Sequence, residues 1–391
     1  MPGTQAVGCQ ELRKFVAPEV IFGWGARHQA PRFARNLGIS KALVVTDSGV
    51  IAAGWTPELT AGLAEVGISH TVFSAVTPNP RAEEVMSGAQ RYAEEGCDGI
   101  IAIGGGSPMD CAKGIGVVST NARHILEFEG VDEVTAPIPP LVCIPTTGGT
   151  SADVSQFAII SDMRRQTKIA VISKAVVPDV ALVDPETLTT MPPYLAACTA
   201  IDALVHAIES FVSNASSPLT DIHALEAMRL ISGHIEDMMA KPEDVDLRGR
   251  IMLGSLEAGL AFSNASLGAT HAMAHSLGGR LDLPHGECNA LLLEHVIAFN
   301  HAAAPERFAR AAEALGVDAR GMNLAAQRAA ILAEVNRLRR AVGVDRTLGA
   351  VGVHRTDIPE LARNAIVDPC MITNPRRPNQ RDIEVVYEEA L

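Results

Sequence analysis

The sequence predicts a two-part chain, an α/β unit built on a mostly parallel sheet over residues 1–185 and an all-helical unit over 186–391. Length comes first, since 391 residues exceed what one ordinary core organises. In the first half, short β-branched apolar runs alternate with helix-period segments, the pattern of a parallel sheet covered on both faces. Beyond Pro185 the strand signal stops, and period-3.6 patterning continues to the end.

The strand-like runs of the first half are "ALVVT" (42–46), "HTVFS" (70–74), "GIIAI" (99–103) and "LVCIP" (141–145). Helical stretches such as 57–67 and 80–96 lie between them. "SQFAIISD", "TKIAVIS" and "VALVD" (180–184) add three more strands, and "DPETLTTMPP" marks the boundary near 185. Helices are then expected at 192–213, 217–240, 247–265, 268–278, 303–316 and 325–343.

A net charge of −13 argues against nucleic acid and anionic membrane surfaces as partners. It leaves room for an anionic cofactor bound locally at a helix terminus. The seven cysteines form no C-x-x-C pair, which suits a reducing cytoplasm. The N-terminal residues lack the apolar stretch of a signal peptide, and no run is expected to reach membrane-helix length.

The strand 99–103 runs into three glycines, 104–106, and then "SPMDCAKGIG". Ser107 suits an N-cap, Pro108 the first helical position, and Asp110 a capping-box-like partner. A two-residue connection rarely needs three glycines. The stretch therefore reads as a phosphate turn presenting bare N–H groups at a helix N-terminus. Met109 occupies the third-glycine place, so the G-x-G-x-x-G fingerprint is absent. Asp47 follows "ALVVT" directly; it suits either a ribose contact at the ligand edge of the sheet or a turn cap on "SGVIAAG". "IPTTGGTSAD" (144–153) is a second Gly/Thr loop at the same edge, equally readable as a generic turn.

The helical half carries sharper chemistry. "IDALVHAIE" sets Asp202 and His206 four apart on one helix face, and "GATHAMAHSLGG" does the same with His271 and His275. His285 follows Pro284 at an expected helix start. One such histidine would mean little. A carboxylate and several imidazoles on apolar helices are costly to bury unless a divalent metal compensates. Nitrogen-rich ligation with one oxygen suits Fe²⁺, Zn²⁺, Co²⁺ or Ni²⁺ over Mg²⁺ or Ca²⁺. His28, His70, His124, His223, His234, His295, His301 and His354 lack this pattern and read as structural or solvent-facing.

In order, "GGGSPMDCAKGIG", "IPTTGGTSADVSQFAIISD", "LVDPETLTTMPP", "AIDALVHAIES" and "HAMAHSLGGRLDLPHGECNALLL" resemble the iron-containing, group III alcohol dehydrogenases. The resemblance runs from "KFVAPEVIFGWGA" to "DPCMITNPR". It implies a dinucleotide-binding α/β domain packed on a helical domain, with the active site in the cleft. By matching position, it makes Asp202, His206, His271 and His285 the metal ligands and places His275 near substrate and nicotinamide. Gly105, Gly106 and Ser107 then match the pyrophosphate loop, and Asp47 the adenosine ribose. Thr146, Thr147 and Thr150 match a second cofactor loop, with Asn79 and Lys168 as further contacts. The implied cofactors are NAD and a divalent metal, Fe²⁺ first and Zn²⁺ as alternative.

The implied activity is hydride transfer between NAD and a primary alcohol or small diol, with His275 as proton relay. The implied assembly is a homodimer or larger homo-oligomer joined through the strand near "EVIFGW" (19–24). Other readings are a same-fold zinc glycerol dehydrogenase, a dehydroquinate-synthase-like lyase, or a non-catalytic sensor.

Overall fold

A computed structural model describes residues 12–391. The α/β part runs β1 (Glu19–Phe22), α1 (Ala30–Asn36), β2 (Lys41–Val45), α2 (Ser48–Ala52), α3 (Trp55–Glu65), β3 (Ser69–Phe73), α4 (Ala82–Glu94), β4 (Gly99–Gly104) and α5 (Gly106–Asn121). It continues through β5 (Gly130–Val131), β6 (Leu141–Pro145), β7 (Phe157–Asp162), β8 (Thr167–Ile172) and β9 (Val180–Val183). The main sheet has six strands in the order β1-β9-β6-β4-β2-β3, every pairing parallel. Alternation along each strand divides its side chains between two cores. Leu43, Val45, Ile100, Ala102, Leu141 and Cys143 pack with residues of α4 and α5. Ala42, Val44, Ile101, Ile103, Val142 and Ile144 pack with residues of α1 and α3 on the opposite face.

The strands at 157–162 and 167–172 do not join this sheet. They form an antiparallel hairpin, with the short β5 beside β8, in a separate three-stranded sheet. Phe157 of the hairpin belongs to the core of the helical part, where it meets Phe262 edge-on at 5.6 Å.

Among the described residues no strand follows Val183. The helical part comprises α6 (Pro193–Val212), α7 (Pro218–Ala240), α8 (Val245–Ala265), α9 (Ala269–Leu281), α10 (His285–Asn300), α11 (Pro305–Ala314), α12 (Leu324–Ala341), α13 (Ile358–Ile366) and α14 (Gln380–Ala390). Its centre is α6. With 20 residues and a mean hydropathy of 1.5 in its most apolar window, α6 is long and apolar enough to cross a membrane. That corrects the expectation that no run would reach this length. The window is 94% buried, so α6 is the core helix of a bundle. Ile201, Leu204, Val205, Ile208, Phe211 and Val212 are all buried in it. At ~1.5–3 kcal/mol for each large side chain, this burial outweighs the ~1–3 kcal/mol cost of each unpaired polar atom on the same helix.

The six cysteines among the described residues are unpaired and buried. Of the histidines outside the Asp/His pattern, His28 faces Glu58, His223 faces Glu257, His295 faces Glu294, and His124 caps a short 3₁₀ turn. His234 bonds its own helix, and His301 stacks on Phe308.

Candidate active site

One cleft of about 800 Å³ runs between the C-terminal ends of the main-sheet strands and the helical part. It is lined by Asp47, Asn79, Gly105, Gly106, Ser107, Thr146, Thr147, Thr150 and Lys168 from the first part. Asp202, His206, His271, His275 and His285 line it from the second. The fold thus brings every candidate residue onto one surface.

The glycine turn differs from the expectation in its capping. The N-cap of α5 is Gly105, extended at φ −82° and ψ −160°, with no side chain capping the helix. Ser107 lies inside the first turn and accepts a bond from the Asn79 N–H at 3.2 Å. Pro108 is accordingly not at the first helical position. Nor does Asp110 close a capping box: it lines the cleft half-buried, and desolvation there pushes its carboxyl up to about 7. The reason is steric. Glycine lets the chain enter the helix two residues early, which leaves the first-turn N–H groups without a side-chain acceptor. Gly104 sits at φ +153°, and a Cβ on Gly105 would lie 2.9 Å from Thr147 Cγ2. The second loop packs directly on the first, and only bare backbone leaves it room.

Asp47 is the turn cap that one of its two readings expects, and it also lies on the cleft wall. Its Oδ1 caps α2 by accepting the Val50 N–H at 2.9 Å, while the residue lines the cleft at the end of β2. Asn79, in the left-handed region at φ 59°, is a hub. Its Oδ1 accepts from Lys168 Nζ at 2.7 Å and its Nδ2 donates to Asp282 at 2.7 Å. These bonds tie α/β loop, hairpin and helical part together. Burial lowers the Lys168 pKa.

Asp202, His271 and His285 converge: one ligand atom from each lies within 4.8 Å of the others. Asp202 Oδ1 is 3.8 Å from His271 Nε2 and 4.0 Å from His285 Nε2. Ligand atoms held ~2.0–2.2 Å from a divalent ion stand roughly 3.4 Å apart, so the set is close to ion-holding dimensions. Close backbone approach creates this. A Cβ on Gly286 would meet Cys198 O at 2.2 Å, so only glycine lets the start of α10 lie against α6 and carry His285 to Asp202. His206 is beside the convergent group, not in it. Its ring stacks on His271 at 4.6 Å and on Phe262 at 4.3 Å, and its buried Nδ1 has no partner.

The donor chemistry fits a metal. Asp202 Oδ2, His206 Nδ1, His285 Nδ1 and Asn289 Oδ1 are buried without partners. Burial holds His206 down at about 4, and burial followed by Lys168 and neighbouring imidazoles holds His285 well below its ordinary range. Their lone pairs are therefore free at neutral pH.

Sequence reasoning missed three residues here. Glu209, one turn beyond His206 on α6, accepts from Gly268 N at 3.0 Å, Thr270 N at 2.6 Å and His271 Nδ1 at 2.7 Å. It caps α9 from another helix and points His271 Nε2 at Asp202. These bonds outweigh the burial that would otherwise raise its pKa, and hold Glu209 low. The i, i+4, i+7 spacing of Asp202, His206 and Glu209 was the available signal. Asn289, one turn after His285, brings its Nδ2 to 2.6 Å from Asp202 Oδ1, 3.1 Å from His271 Nε2 and 3.2 Å from His285 Nε2. Two amide hydrogens cannot serve three acceptors. Asp368 bonds His275 Nδ1 at 2.9 Å from a distant loop that no local pattern marks.

A helix N-terminus ready for an anion, facing a buried imidazole–carboxylate cluster across one cleft, is what a nucleotide- and metal-using oxidoreductase requires. Residues 17–185 match the iron-containing alcohol dehydrogenase family model, and residues 196–391 match the Fe-containing alcohol dehydrogenase C-terminal model. The chain is 36% identical over 377 residues to the NAD-dependent methanol dehydrogenase of Bacillus methanolicus, covering 96% of this chain and 99% of that one. It is 36% identical over 379 residues to the 1,3-propanediol dehydrogenase of Klebsiella pneumoniae, covering 96% and 98%. A crystal structure of 1,3-propanediol oxidoreductase superposes with a TM-score of 0.94 at 36% identity, covering 97% of this chain and all of the other. The chain belongs to the iron-containing alcohol dehydrogenase family.

Proposed function

We propose that the protein is a metal-dependent alcohol dehydrogenase and aldehyde reductase that moves a hydride between NAD and a primary alcohol or small diol. The observation that carries this is the convergence of Asp202, His271 and His285 in the same cleft as the uncapped first turn of α5. The methanol and 1,3-propanediol named for the relatives set the size of the first substrates to try. We assign two functional units, divided near residue 185. Asp202, His206, His271 and His285 would hold the ion, Fe²⁺ or Zn²⁺. When bound, the ion supplies Lewis acidity at the substrate oxygen and NAD supplies the hydride acceptor.

The chain's own residues do the rest. The N–H groups of Gly106 and Ser107 receive the pyrophosphate, while Thr146, Thr147 and Thr150 line its far side. Asp47 accepts from the ribose hydroxyls. Asn79 and Lys168 fix the loops at the nicotinamide end. Phe262 and Leu267, buried in the wall, exclude water. His275 Nε2 takes the substrate's hydroxyl proton.

Protein loaded with Fe²⁺ is expected to reduce NAD with short primary alcohols, and metal-stripped protein is not. Absence of turnover across a panel of such alcohols, in protein shown to bind both cofactors, would favour the sensor reading instead.

Gly105→Val tests the turn. The side chain displaces Thr147 and covers the amides, removing about 3 kcal/mol of charge-assisted hydrogen bonding. NAD affinity is expected to fall on the order of a hundredfold, with metal content unchanged. An unaltered Kd by titration calorimetry would make the glycines a packing feature only.

We further propose association through β1. Among the described residues this strand pairs only with β9 and its other edge carries no strand, and Phe22 and Trp24 nearby are 41% and 52% exposed. Light scattering at micromolar concentration should give at least twice the 41.2 kDa chain mass; a monomer refutes the idea. The buried free thiols support a reducing, cytoplasmic setting.

A further inference from the structure

We propose that Asp368 is a positioning residue for His275. Its carboxylate fixes the imidazole in the tautomer with the proton on Nδ1, so that Nε2 offers a bare lone pair to the cleft. The contact is direct, with His275 Nδ1 2.9 Å from Asp368 Oδ2. A carboxylate only accepts, so the ring nitrogen must donate. Nε2 is then the remaining heteroatom, on a residue that lines the cleft and, among the described residues, makes no other side-chain hydrogen bond.

The carboxylate is held at both ends. Asp368 Oδ1 accepts the Cys370 N–H at 2.8 Å and so caps the 3₁₀ turn Pro369–Thr373. That turn is anchored to the start of α9, the helix that carries His275. Thr373 Oγ1 donates to Leu267 O at 2.6 Å, and Asn374 Oδ1 accepts from Ala269 N at 3.0 Å. The His275 ring is braced on its face by His285, 5.3 Å away and 14° from parallel. A buried aspartate needing only a partner could have been satisfied by backbone alone. This one divides its oxygens between Cys370, whose amide and thiol both reach it, and an imidazole.

The role of the lone pair rests on the proposed activity, in which Nε2 meets the substrate hydroxyl proton. The tautomer itself does not depend on that activity. Asp368→Asn separates the two functions of the side chain. Asparagine is a good cap, so the turn should keep its fold. Its single oxygen stays on the Cys370 N–H, which turns the amide NH₂ toward His275 Nδ1. The ring must then carry its proton on Nε2, the wrong nitrogen for accepting one.

The experiment has two arms. In nitrogen-labelled-histidine NMR of metal-free protein, with His275 assigned by loss of its signal in His275→Ala, the wild type should show a protonated Nδ1 and a bare Nε2. Asp368→Asn should invert them. A wild-type ring protonated on Nε2, or the same tautomer in both proteins, overturns the proposal. In steady-state kinetics of the metal-loaded enzyme, Asp368→Asn should lower kcat roughly 10²–10⁴-fold, the usual range for a lost acid–base group. NAD affinity and metal content should be unchanged. The double variant Asp368→Asn/His275→Ala should be no slower than His275→Ala alone, because Asp368 acts only through that ring. Additive losses, or an unimpaired Asp368→Asn, overturn it. If the wild type turns over no alcohol at all, the proposed activity falls, and the NMR arm still decides the tautomer.

Discussion

Replacing His271 by alanine should abolish metal binding and lower alcohol oxidation by a thousandfold or more, while leaving the protein folded. His271 is 1% exposed and stands between two carboxylates, Asp202 on its Nε2 side and Glu209 on its Nδ1 side. Removing it takes one donor from a small convergent set. The Lewis acidity lost with the ion corresponds to several kcal/mol of barrier, and ~4 kcal/mol is about three decades in rate. The fold should survive, since alanine is a strong helix former. Glu209 also keeps its bonds from the Gly268 and Thr270 N–H groups, so α9 remains capped. Metal content by plasma emission, circular dichroism and turnover decide the matter together. Full activity in a verified metal-free preparation would sink the ligand assignment.

Asp47→Gly should change cofactor choice. In the wild type, a 2′-phosphate placed at the end of β2 would bring a dianion against the Asp47 carboxylate. No arginine lines the cleft, and its one lysine, Lys168, is bonded to Asn79. Arg27, which stacks on cleft-lining Trp55 at 4.8 Å, is already bonded to Asp184, Glu186 and Glu58. Repulsion together with lost ribose hydrogen bonds should cost NADP about 2–4 kcal/mol relative to NAD. That is roughly a thirty- to thousandfold preference in kcat/KM. Glycine removes the charge and the α2 cap, but replacing a cap by glycine costs only a few tenths of a kcal/mol. The ratio should therefore narrow chiefly by improved use of NADP. Equal use of the two cofactors by the wild type, or an unmoved ratio in the variant, would remove Asp47 from the ribose site.

Much of this fold is legible because its signals are local. Apolar β-branched runs such as 42–46 and 99–103 are strands in any context that buries both faces, and both are. The hairpin 157–172 was legible as two strands but not as a separate sheet, since pairing partners are chosen across the chain. The N-cap of α5 lies at Gly105 and not at Ser107, because capping preference is a weak local energy. Here the packing of two glycine-rich loops against each other overrode it. Glu209, Asn289 and Asp368 escaped notice for the same kind of reason. Each is an ordinary polar residue until another segment brings an imidazole to it.

The order of residues alone sets the α/β and all-helical division, the choice of candidate donors, and the i, i+4 pairing of Asp202 with His206 and of His271 with His275. Helix and strand periods are properties of neighbouring residues, and they act at short range. The tertiary structure alone decided which donors meet. Gly286 against Cys198 O brings His285 to Asp202, Glu209 orients His271, and a turn 93 residues further on orients His275. His206, paired with Asp202 in sequence, is instead stacked flat on His271. A 3.6-residue period fixes the side of a helix on which a side chain emerges. The direction in which its nitrogens point is set by ring torsions, and those answer to whatever the rest of the chain packs against them.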